Sequence, residues 1–179
     1  MKKRIDKYIA KSSLIKIYVD VEGEEDEYRG IPIRRSRTLL ALHKLDEFHF
    51  NGYIVVRLKD VVKIKRGRVE VTKQRILKAT GVLDTHVGPD WLRVGSWKSL
   101  LTCLKRRGVC VCVGSALIKV DVFAIGDVHK LKDNAVVLNS FDAHGKWYKP
   151  KHKIKYSDIT GIFFGDKYSV TFSEYVKRS

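Results

Sequence analysis

Two strings in this sequence come back later in the same order. Leu58-Lys59-Asp60-Val61-Val62-Lys63-Ile64 is echoed 98 residues on by Tyr156-Ser157-Asp158-Ile159-Thr160-Gly161-Ile162. Leu42-His43-Lys44-Leu45-Asp46 is echoed 96 residues on by Leu138-Asn139-Ser140-Phe141-Asp142. The two-residue difference falls between the strings, in a connection where insertions are tolerated. Agreement in order, spacing and element type predicts an internal duplication, with a chain of 179 residues divided into two small units. Residues 1–81 make the first unit with an N-terminal helix, and residues 82–179 make the second with a leading helix over 96–107.

The local patterns supply the same elements twice. Ile5, Tyr8 and Ile9 recur at helical spacing between Arg4 and Lys11. Ile15, Ile17, Val19 and Val21 alternate with Lys16, Tyr18 and Asp20, the period of a half-buried strand. The acidic run Glu22–Glu27 reads as a solvated turn, and Tyr28–Arg35 as a strand that Pro32 places at an edge or bulge. Strands follow over Arg37–Lys44, Asn51–Leu58 and Asp60–Gly67, then a helix over Val71–Gly81 that Gly81 stops. In the second half Ser96 caps a helix with Trp97, Leu100, Leu101 and Leu104 on its buried stripe. Strands are predicted over 109–113, 117–125, 135–141, 147–156 and 159–164. Tyr168–Val176 fits either a helix or a strand.

The fold class is therefore mainly β with short helices, and helix followed by five short strands is the order of the Sm-like small barrel. The strand pairs Asn51–Val61 and Asp158–Tyr168 resemble those of bacterial proteins that carry tandem Sm-like units. That resemblance covers about a quarter of the chain and implies two tandem Sm-like, five-stranded barrels. It implies no activity, because the proteins with this pattern have no assigned one. Sm proteins carry a glycine in strand two, then a spaced Asp and Asn in a loop that reads RNA bases. Gly126 matches the first, but Asp133 and Asn134 are adjacent, and an Ile-Arg-Gly-like second motif is absent. The resemblance thus does not extend to a uridine pocket. Another small barrel, of SH3-like or OB type, is the alternative architecture.

Charge supplies the functional signal. Thirty-six Lys and Arg oppose 20 Asp and Glu, for a net charge of +16. The excess is +9 before Gly81 and +7 after it, so both halves carry it. Such a field favours polyanions, nucleic acid before membrane surface. Arg34, Arg35 and Arg37 cluster at the junction of the second and third strands, and Lys63, Lys65, Arg66 and Arg68 on and after the fifth. Lys149, Lys151, Lys153 and Lys155 alternate and are expected on one face of a ribbon, beside Trp147 and Tyr148. Lysines beside aromatic rings follow phosphates and stack bases. The competing reading is an edge strand charged to block aggregation.

No catalytic constellation is legible, and the chain reads as a non-enzymatic binding protein without metal or cofactor. Cys110 and Cys112 share one strand face and read as small buried hydrophobes. The six histidines lack metal-ligand spacing, and the recurring Asp46/Asp142 and Asp60/Asp158 read as turn residues. The opening Met1-Lys2-Lys3-Arg4 is not followed by an apolar signal core, and Lys119 and Asp121 interrupt the longest apolar stretch. With an odd number of cysteines, these features predict a cytoplasmic protein off the membrane. Two binding readings remain. One is nucleic acid, RNA ahead of DNA, on the basic faces. The other is a scaffold that assembles with itself or a protein partner through edge strands.

Overall fold

The computed structural model describes residues 1–115 and 124–178. They divide into two compact units, Met1–Asp90 and Trp91–Ser179. The first contains α1 (Lys2–Ala10), β1 (Ile15–Val21), β2 (Glu24–Arg35), β3 (Leu39–Asp46), β4 (His49–Arg57), β5 (Val61–Lys65) and α2 (Arg68–Ala79), then a 3-10 turn at Val82–Thr85. The second contains α3 (Trp97–Arg106), β6 (Val111–Ser115), β7 (Ala124–Leu131), β8 (Ala135–Ser140), β9 (His152–Lys155), β10 (Ile159–Phe164) and α4 (Lys167–Arg178). Strand dominates, and every ladder described within a unit is antiparallel.

In the first unit the strands lie in the order β5-β1-β2-β3-β4, and in the second β10-β6-β7-β8-β9. The registers also agree, shifted by 96 residues on β6–β8 and by 98 on β9 and β10. Ile15 faces Gly30 as Val111 faces Gly126, and Pro32 faces Leu42 as Val128 faces Leu138. Leu42 faces Ile54 as Leu138 faces His152, and Ile17 faces Ile64 as Val113 faces Ile162. A register shift follows Pro32 in β2 and Val128 in β7 alike.

Chain length forces each sheet to roll. Arg57 ends β4 and Val61 begins β5, at opposite ends of the first order. Four peptide steps reach at most about 14 Å, whereas five strands laid flat would separate the outer two by about 19 Å. Lys155 and Ile159 impose the same limit on the second unit. The closed five-stranded barrels expected from the sequence are nevertheless not formed. Among the described residues the outer strands of a unit do not pair with each other, so each sheet is curled and open. In the rolled sheets β2 and β3, and likewise β7 and β8, approach closely. A Cβ on Gly30 would overlap the His43 carbonyl, and one on Gly126 the Asn139 carbonyl.

Burial follows the alternation. Ile15, Ile17 and Val19 of β1 are buried between half-buried Lys16, Tyr18 and Asp20. Leu14, Ile31, Leu45 and Leu77 form one cluster of the first unit, with Phe50, Val82 and Leu83 packed on it. In the second unit Cys110, Phe141 and Val176 are joined by Ile125 and Phe172. Ser96 accepts the Ser99 N–H at 3.1 Å, and Trp97, Leu100, Leu101 and Leu104 are buried where α3 packs on β7 and β8.

Several elements differ from the sequence reading. The acidic run is mostly strand. Only Glu22 and Gly23 turn, both at positive φ, while Glu24–Glu27 pair with β1. Pro32, read as marking an edge or a bulge, does sit at a bulge, within an interior strand. The predicted strand 147–156 shortens to His152–Lys155, and 168–176 is helical. Most of the strand predicted over 117–125 lies outside the described residues.

Candidate nucleic-acid interface

In the first unit, two of the seven basic candidates hold the fold together. Arg35 grips Asp6 of α1 with two bonds, Nε to Oδ1 at 2.6 Å and Nη2 to Oδ2 at 2.5 Å. That guanidinium keeps the Asp6 carboxyl below its usual range. Arg66 donates from Nη1 to the Leu14 carbonyl at 2.7 Å and to Gln74 Oε1 at 2.8 Å. Gln74 in turn donates to the Ser12 carbonyl and accepts the Leu14 N–H, so α2 is tied to the entry of β1. Both arginines serve positioning roles within the fold.

The remaining candidates of this unit do not gather on one face. Arg34 is half-buried at the β2 bulge, Arg37 is exposed in the β2–β3 turn, and Arg68 opens α2. Lys63 and Lys65 do share a face of β5, opposite Tyr18 and Lys16 of β1. Lys63 and Lys16 lie over the Tyr18 ring at 5.3 and 5.4 Å, and Glu27 binds Lys16 at 2.7 Å. Buried Glu70 adds a further carboxylate, 3.7 Å from Arg29. The first unit's basic face is thus partly neutralised from within.

The second unit is different. Lys153 and Lys155 project from the same face of β9, about 7 Å apart by strand geometry. The predicted four-lysine ribbon is otherwise broken. Trp147 bridges to Phe141 and the Tyr148 N–H reaches the Ser140 carbonyl at 2.8 Å, after which pairing resumes at His152–Leu138. Two residues of the β8 side lie between those pairs, against four on the other, so Tyr148–Lys151 leaves the ladder. Lys149 occupies a bend and Lys151 precedes the strand, where alternation no longer fixes direction.

The register adds residues that the sequence reading missed. Lys130 of β7 and Lys153 of β9 flank Val137 of β8, placing three side chains in one rank. Lys151 Nζ lies 3.2 Å from His129 Nε2, and Lys105 at the end of α3 donates to the His129 carbonyl at 2.6 Å. The echo of Leu42–Asp46 at a separation of 96 held a signal for Lys130, which occupies the ladder position of Arg34 shifted by 96. Among the described residues, none of Lys130, Lys151, Lys153 and Lys155 pairs with a carboxylate.

The cysteines stay apart from this face. Cys110 is buried beside Phe141 and Val176, and burial, with Asp127 nearby, pushes its thiol up to about 11. Burial and the Asp166 charge push Cys112 up to about 12. Thiols so protonated are poor nucleophiles and poor metal ligands at neutral pH. Among the described residues no three His, Cys, Asp or Glu side chains gather as a metal site, and no helix is long and apolar enough to cross a membrane. No family model, curated protein or solved structure matches the chain.

Proposed function

We propose that this chain is a non-enzymatic nucleic-acid-binding protein of two Sm-like units, arisen by duplication and working in the cytoplasm on RNA. The observation that carries the binding reading is a set of lysines on the second unit with no carboxylate partner among the described residues, Lys130, Lys151, Lys153 and Lys155. Ammonium groups without carboxylate partners retain their attraction for phosphate, whereas paired ones give most of it up. The shared strand order, the matched registers and the paired glycines Gly30 and Gly126 support the Sm-like duplication. Scaffold assembly through edges is less favoured. β5 and β9 both carry lysines, Lys63 and Lys65 on one and Lys153 and Lys155 on the other, so pairing them between copies would bring like charges together.

The test is a titration with RNA and DNA oligonucleotides at two salt concentrations. Affinity is expected to fall steeply with salt and to vary little with sequence, because phosphate contacts carry no base information. Replacing Lys130, Lys151, Lys153 and Lys155 with Gln is expected to flatten the salt slope by up to about 3, at roughly 0.7 per single-strand phosphate contact. Failure of the parent protein to bind either nucleic acid at low salt would remove this reading.

A further inference from the structure

We infer that Tyr148, with Trp147 beside it, forms a base-stacking site that makes the second unit prefer unpaired strands to duplexes. This rests on the polyanion reading above and adds a contact that phosphate attraction alone does not supply. Both residues are exposed, Tyr148 by 43% and Trp147 by 36%. Both are nevertheless held in place from behind. Trp147 stands edge-on to buried Phe141, with ring centres 5.6 Å apart at 87°, and Phe141 stacks on Phe172 at 5.3 Å. The backbone bridge from Trp147 to Phe141 fixes the same point of the chain.

Tyr148 lies 4.9 Å from the His152 ring at a tilt of 33°. His152 is itself oriented through Nδ1, 2.9 Å from the hydroxyl of fully buried Ser140. A ring packed on one side and open on the other loses little conformational freedom when a base covers it. Lys146, Lys149 and Lys151 are exposed on the same short segment, so phosphates on either side of a stacked base find ammonium groups within reach. A paired duplex hides its base faces inside the stack and offers only phosphates. An unpaired strand offers both.

The test uses the full chain with three ligands: a single-stranded RNA 12-mer, the same 12-mer annealed to its complement, and inorganic polyphosphate of similar charge. The parent is expected to bind the single strand most tightly. Tyr148→Ala is expected to weaken single-strand binding about tenfold, leave duplex and polyphosphate binding unchanged, and be rescued by Tyr148→Phe. An unchanged circular dichroism spectrum would confirm that an exposed position has been altered without unfolding. Equal losses on all three ligands would overturn stacking, since the ring would then act on phosphate attraction or on folding. No loss on any ligand would overturn it too and leave the lysine reading intact. Absence of binding by the parent to all three would overturn both.

Discussion

His43 is buried with its imidazole stacked 4.3 Å from the Phe50 ring and 4.6 Å from Tyr53. Its Nδ1 accepts the Val87 N–H at 3.3 Å and faces His86 Nδ1 at 3.0 Å. A proton on that nitrogen would set N–H against N–H. Burial first, and the His86 charge second, lower its pKa from 6.5 to about 4. The unfolded chain therefore binds the proton more readily than the native one. Stability that is present above pH 6.5 is lost as pH falls toward 4, by at most about 3 kcal/mol. Burial lowers His86 in the same direction. Urea midpoints at pH 7 and pH 5 test this, and His43→Phe is expected to flatten the difference while costing about 1 kcal/mol at pH 7 for the lost acceptor. Glu70 is a second sensitive residue, 1% exposed, accepting the Gly67 N–H at 2.8 Å and facing Arg29. Glu70→Ala is expected to cost about 2–4 kcal/mol in denaturant titrations because it strands a cation and a helix-terminal N–H.

At the scale of elements, the glycine pair tests the rolled sheet directly. Gly30→Ala and Gly126→Ala each force a methyl into a carbonyl on the neighbouring strand, so each is expected to destabilise by more than about 2 kcal/mol. Gly81→Ala and Gly108→Ala, where nothing lies within 4 Å, are expected to cost about 1 kcal/mol, from positive φ alone. Thermal melts of the four variants would separate crowding from backbone preference. The elements legible in sequence were those with a clean period or cap, such as β1 and α3. The acidic hairpin was misread because its carboxylates look like a solvated turn, although strand pairing leaves them just as solvated. The ribbon at 147–156 was misread for a different reason. Alternating lysines continue through Lys149-Pro150-Lys151, but proline offers no N–H to a ladder, and pairing is abandoned there. Strand order and register, which place Lys130 and Lys153 on either side of Val137, depend on contacts that no local pattern encodes.

Across the whole molecule, the charge of +16 is spent in two ways. Arg35 and Arg66 are committed to carboxylate, carbonyl and amide partners, whereas Lys130, Lys151, Lys153 and Lys155 pair with no carboxylate among the described residues. Arg35→Ala and Arg66→Ala are thus expected to lower the melting temperature and leave nucleic-acid affinity nearly unchanged. The four-lysine Gln variant is expected to do the reverse, since exposed charges contribute little to stability. Melting curves and binding isotherms on the same preparations would show whether the two effects separate. The surplus of residues opposite β8 bears on how such a molecule can change. A strand must send alternate side chains inward, so half its positions answer to the core. Beyond Tyr148, which the Ser140 carbonyl and the His152 ring hold, Lys149–Lys151 has left the ladder and is exposed. Residues can be exchanged or added there without repacking the unit, which makes this short detour the place where a new preference can be acquired while the frame beneath it stays as it is.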